Sequence, residues 1–98
     1  MDKEIHQNDI HHDTEQHRFS VVVEGKEALL DYSPQGDSTL NYNHTFVPPE
    51  LRGKGVASVL AKAALDYAKE NGYTVIPSCS FVAAYVRRHR EYDDITEE

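Results

Sequence analysis

The residues best suited to chemistry in this chain are the run Arg52-Gly53-Lys54-Gly55-Val56-Ala57 and two isolated side chains, His44 and Cys79. Two glycines in three residues let the backbone turn tightly and bring bare N–H groups close to a ligand. A helix predicted to begin there adds unpaired N–H groups and the positive end of a dipole. Strand, glycine turn and helix N-terminus together make an anion site, most often for phosphate. Arg52 and Lys54 add mobile positive charge, and Arg can grip a phosphate bidentately. No Walker A motif can be written through Gly53 and Gly55. Gly53-Lys54-Gly55-Val56-Ala57-Ser58 also lacks the last glycine of a dinucleotide fingerprint and sits mid-chain, after three strand-like runs. His44 can accept a proton near neutral pH, or it can be a core histidine packed between Tyr42 and Phe46. Cys79 can be a nucleophile or a small buried hydrophobe.

The elements that must position these residues follow from periodicity. Arg18 to Glu24 (RFSVVVE) is β-branched and aromatic, Gly25-Lys26 allows a tight turn, and Glu27 to Ser33 alternates Ala28, Leu30 and Tyr32 on one face. Pro34-Gln35-Gly36-Asp37 is a second turn. Thr39 to Val47 is a third strand, expected to place Leu40, Tyr42, His44 and Phe46 together on one face. Short turns make the three an antiparallel meander. Pro48-Pro49 ends the third strand. From Gly55 to Asn71, Val56, Val59, Leu60, Ala63, Ala64 and Tyr67 recur at helical spacing, and Asn71-Gly72 supplies the stop. Tyr73 to Pro77 reads as a short buried strand parallel to the third, and Phe81 to about Arg90 as a second helix. The expected fold class is α/β (α+β), a mixed sheet in the order β-β-β-α-β-α with helices packed on it. Met1 to His17 lacks periodicity and is expected as a disordered tail, residues 18–92 as one domain, and 93–98 as an acidic tail.

Ninety-eight residues make one domain at most. Ten basic against seventeen acidic residues give a net charge of −7. That balance argues against a general nucleic-acid or anionic-membrane surface and favours a cationic acceptor such as an amine. A lone cysteine excludes an internal disulfide and suits a reducing, cytoplasmic setting. No apolar run approaches transmembrane length. His6, His11, His12 and His17 match no zinc frame, so no metal is expected.

Arg52-x-x-Gly55-x-Ala57 resembles the Q/R-x-x-G-x-G/A loop of the GNAT superfamily of N-acetyltransferases. More specifically, the chain is similar to the compact, truncated GNAT-like branch. Three segments carry the likeness: the strand Asn43-His44-Thr45-Phe46-Val47-Pro48, the loop Arg52 to Ala57, and the turn Ile76-Pro77-Ser78-Cys79-Ser80 leading into Phe81. The resemblance covers roughly Arg18 to Arg90 and departs where full-length enzymes insert two helices, because only Gly25-Lys26 lies between the first two strands. It implies acetyl-CoA (coenzyme A) as cofactor, held by Val47, Arg52, Gly53, Lys54, Gly55, Val56, Ala57 and Ser58, with Cys79 beside the acyl group. It implies His44 as general base and Tyr85 as proton donor to the leaving thiolate; for Tyr85 the alternative is core packing. Arg87, Arg88 and Arg90 are placed by it near the cofactor's 3′-phosphate, or they form a solvated helix end. The implied function is acetyl transfer to a small amine or protein lysine by a monomer or weak dimer. The alternatives are a non-catalytic acyl-CoA-sensing module and a protein-interaction domain with a vestigial cofactor loop.

Overall fold

The computed structural model describes residues 5–97. Five strands form one sheet in the order β1-β2-β3-β4-β5: β1 (His11–Asp13), β2 (Arg18–Val23), β3 (Lys26–Gln35), β4 (Thr39–Phe46) and β5 (Thr74–Ile76). The first three pairings are antiparallel and β4–β5 is parallel, as a strand reached through a crossover helix must be to lie beside β4 in this sense. Helix α1 (Val56–Glu70) makes that crossover, and α2 (Ser80–Arg88) follows β5.

One face of the sheet carries Phe19, Val21, Val23, Ala28, Leu30, Tyr32, Leu40 and Tyr42, all buried beneath α1. The helix answers with Val56, Leu60, Ala61, Ala63, Ala64, Leu65 and Ala68. This stripe is wider than the periodicity alone predicts, because α2 and the chain after it cover a second flank of α1. Its alanines let the helix approach the sheet closely enough for the Tyr42 hydroxyl to donate 2.5 Å to the Ala64 carbonyl. Burial raises the Tyr42 pKa well above the usual tyrosine value, so it stays a neutral donor. The opposite face is open to solvent at β2 and at the end of β4. Val22 is 64% and Phe46 43% exposed there, in line with Leu29 and Asp31 of β3.

Two expectations need correction. Residues 5–17 do not hang free: Ile5 and Ile10 pack on the core, and β1 adds an edge strand to β2. His12 supplies the reason, its ring stacked 4.0 Å from Phe19 and 2.6 Å from the Tyr32 hydroxyl. A short strand anchored by one aromatic side chain has no repeat for periodicity to detect. Residues 1–4 of the expected tail lie outside the described residues. The acidic segment is likewise tied down as far as Glu97, Glu98 lying outside the described residues: after a 3-10 stretch, Arg90–Ile95, Thr96 bridges Val75 and the Glu97 N–H donates 2.8 Å to the Val75 carbonyl. Tyr92 anchors it, fully buried, its hydroxyl donating 2.5 Å to Asp66.

Candidate active site

Strand β4 is regular only as far as Tyr42. On β3, Tyr32 faces Tyr42 and Asp31 faces His44, so one step on β3 spans two on β4 and Asn43 is an unpaired extra residue. This is a β-bulge, and it reverses the alternation of faces beyond it. Leu40 and Tyr42 point into the core, as predicted, but His44 and Phe46 turn to the open face, opposite Asp31 and Leu29. Thr45, opposite Leu30, takes the helix side instead. The expectation that Leu40, Tyr42, His44 and Phe46 share a face is therefore corrected by a single inserted residue. His44 is an exposed side chain on the open face rather than a core histidine.

Beside the bulge, β4 and β5 part. They pair from Thr39–Thr74 to Asn41–Ile76, and then the chain of β5 turns away through Pro77. The Cys79 N–H still donates 2.9 Å to the Tyr42 carbonyl. Beyond that, among the described residues, no strand pairs with this edge of β4. The Thr45 hydroxyl and the Cys79 thiol meet across the gap at 3.4 Å, Cys79 being the residue that precedes α2.

The glycine loop closes the far end. Pro49–Leu51 make a 3-10 turn pinned by fully buried Leu51, and Arg52 Nε donates 3.0 Å to the Val47 carbonyl. Gly53 and Gly55 have φ of 82° and 79°, and a Cβ at either would meet nothing within 4 Å. Their role is thus the left-handed backbone itself, with space left in front of it. Gly55 precedes α1 without any side-chain cap, and its carbonyl receives the first helical bond, from the Val59 N–H at 3.2 Å. The N–H groups of Val56, Ala57 and Ser58 are therefore the orphan donors of the helix start. A cavity of about 220 Å³ lies against them, lined by Val47, Leu51, Arg52, Gly53, Gly55, Val56, Ala57, Ser58 and Phe81.

Most of the sequence-predicted cofactor residues thus line one cavity. Lys54 and Cys79 do not; Lys54 leans toward Glu24, 4.0 Å away, with both side chains about half exposed. Phe81 was not foreseen, although its place next to the Pro77-Ser78-Cys79-Ser80 turn was the available signal. Tyr85 is buried among Phe81, His89 and Tyr92, its ring stacked 3.9 Å from His89, and burial raises its pKa. It is not brought together with Cys79. Of the arginine cluster, Arg88 falls seven residues from Phe81, on the same flank of α2, whereas Arg87 and Arg90 line a second, larger cavity with Ala83 and Val86. Among the described residues no cluster of His, Cys, Asp or Glu could hold a metal ion, and no helix is long and apolar enough to cross a membrane.

A glycine loop opening a crossover helix, a bulged strand before it and a parallel strand that parts from its neighbour make a mixed α/β fold of the GNAT-like type. The sequence model of the GCN5-related N-acetyl-transferase family matches residues 18–95, and the chain belongs to that family. It is 35% identical over 82 residues to Protein NATD1 of Xenopus tropicalis, covering 82% of this chain and 75% of the relative. Protein NATD1 of Homo sapiens is 34% identical over 82 residues, covering 82% and 73%. The solution structure of a GCN5-like candidate N-acetyltransferase from Staphylococcus aureus superposes with a TM-score of 0.71 at 29% identity, covering 90% of this chain and 86% of that one.

Proposed function

We propose that this protein is an N-acetyltransferase that takes acetyl-CoA as donor and a primary amine as acceptor. The observation that carries the reading is the parting of β4 from β5 between the loop cavity and His44. The residues present suit such a cofactor: bare N–H groups and Arg52 for the pyrophosphate, an unpaired strand edge for an amide-bearing arm, and Thr45 with Cys79 at the point where that arm would end. Acetyl-CoA supplies an activated thioester carbonyl.

The chain's own groups divide the remaining work. The N–H groups from Gly53 to Ser58 fix the donor's charge at one end of the gap, which orients the reacting carbon without any moving part. Cys79 and Thr45 bound the acyl position on the helix side. His44 stands on the other face of the same strand, where an incoming amine reaches it from solvent. It would accept the amine's proton, directly or through water, as the acetyl group passes to nitrogen and coenzyme A departs as its thiolate. Tyr85 takes the packing role of the two its position allowed, because it is buried on α2 with its ring against Phe81, His89 and Tyr92.

The open sheet face also favours a second reading, an acyl-CoA sensor without turnover, since Val22 and Phe46 stand exposed on it. One experiment separates these. Titrating ¹⁵N-labelled protein with acetyl-CoA, coenzyme A and ATP should move the amides of Gly53, Gly55 and Ala57 with both coenzyme A species only, and Cys79 with acetyl-CoA alone. Turnover on an amine panel then gives the enzyme, and its absence the sensor. A silent loop, or ATP acting equally, would sink both and leave an interaction domain.

A further inference from the structure

The larger cavity, about 650 Å³, lies on the flank of α2 away from Phe81, between the exit of β5 and the C-terminal segment. Its floor is apolar: Ile76, Pro77, Ala83 and Val86. Two opposite charges face it, Arg87 from α2 and Glu97 from the C-terminal segment, and among the described residues neither side chain has an ion-pair partner. Arg90 and Asp93, also at its wall, are bound to each other at 2.5 Å and so cancel locally. A cavity that keeps one cation and one anion unpaired over an apolar floor matches a zwitterion with an aliphatic body.

Its near end leads to the proposed chemistry. Ser78, at the wall, is next to Cys79. Ile76 pairs in register with Asn41, which shares the open face with His44. Asn41 Oδ1 is buried and has no hydrogen-bond partner, an acceptor waiting for a donor from outside the described chain. The far end is set by Arg87, eight residues along α2 from Cys79, about 12 Å at the helical rise. Its side chain leans back toward the helix N-terminus and shortens that span by roughly a turn. A short α-amino acid cannot bridge what remains, but one with three or four side-chain methylenes and a terminal amine can.

We propose that this cavity is the acceptor site and that it takes a free basic amino acid of the lysine–ornithine class. Arg87 holds the α-carboxylate, Glu97 the α-ammonium, the floor carries the methylenes, and the side-chain amine is presented at the Asn41–Cys79 end. The acceptor role rests on the acetyltransferase reading; the binding chemistry does not.

The test is an amide titration of the whole chain with L-lysine. Shifts are expected at Ala83, Arg87, Ser78 and Glu97. Cadaverine, which lacks the carboxylate, and 6-aminohexanoate, which lacks the α-ammonium, should each bind about tenfold or more weakly, as a charge-assisted contact requires. R87A should remove the preference of lysine over cadaverine, and E97Q that over 6-aminohexanoate. Both positions are exposed, so neither change threatens the fold, and D94N outside the cavity is the control. No shift in the cavity overturns the proposal, as does equal binding of Nα-acetyl-lysine amide, which would mean a lysine within a protein. The loop amides of Gly53 and Gly55 report coenzyme A separately. Lysine binding with a silent loop keeps the amino-acid site and removes its role as acceptor.

Discussion

The loop cavity and the open sheet face are built by opposite means. The loop is local: two prolines, a buried Leu51, two left-handed glycines and a helix start lie within ten residues of one another. The open face is assembled from β2, β3, β4 and β5, and its layout turns on one bulged residue, Asn43. A site made from a single stretch of chain can be specified by residue type and spacing. One made across strands depends on register, which a one-residue slip inverts. The difference teaches that the two halves should fail separately.

His44→Ala should break the open face alone. The expected loss in kcat is on the order of 10²- to 10⁴-fold, the usual contribution of a general base, with acetyl-CoA affinity unchanged. An affinity that falls in parallel would place His44 in the cofactor half and undo the comparison. Gly55→Val should do the reverse. A β-branched residue at φ 79° is strained by about 1–2 kcal/mol and carries its side chain over the donor N–H groups. Coenzyme A affinity should drop at least about tenfold, while the hydrogen-exchange protection of β2 and β3 stays as it was. Calorimetry and exchange on the same sample decide this.

How far the sequence could be read follows the same division. The meander, both helices and the loop were legible because turn residues and periodicity are local signals. The bulge was not legible. Nothing in Asn41-Tyr42-Asn43-His44 distinguishes a straight strand from a bulged one, since both asparagines tolerate either face. Nor was the anchoring of the N-terminus, which depends on His12 finding Phe19 and Tyr32 in space. The C-terminal segment escaped for a related reason: Glu91, Asp93 and Asp94 dominate its composition, yet Tyr92 alone decides where it packs.

That last contact gives the next prediction. Asp66 receives hydrogen bonds from Tyr92, Lys62 and Gln7. Burial pushes its pKa up, but the three donors together outweigh burial and hold it below the usual aspartate value. A depressed carboxylate stabilises the fold above its unfolded pKa and ceases to as pH falls through the folded one. Tyr92→Phe should therefore cost about 1–3 kcal/mol near neutrality. The deficit relative to wild type should shrink once acid protonates Asp66 in both proteins. Urea melts at pH 7 and pH 3 test this, and a constant deficit would mean the hydroxyl acts through packing. The effect should appear at the C-terminal segment, and thus at the amino-acid cavity, before it reaches the loop.

The smallest effect is expected at β1, where the two halves share an edge strand's support. Burial lowers the His12 pKa from its ordinary 6.5, against Asp13, which raises it, and with His11 and His17, which lower it further. The neutral ring is the one that stacks on Phe19 and meets the Tyr32 hydroxyl, whose own pKa burial pushes up to about 12. A histidine with a lowered folded pKa contributes stability above its unfolded value and loses it as pH falls through the folded one. Acidification from pH 7 to pH 5 should thus loosen β1 from β2 without global unfolding. Amide exchange at Ser20, opposite His11, should speed up over that range, and in His12→Phe it should not. Exchange that accelerates equally in both would mean that His12 is not the cause of the loosening. Because β2 lies two strands from β4, coenzyme A binding should stay level across the same pH range, which separates the edge of the sheet from the site it supports.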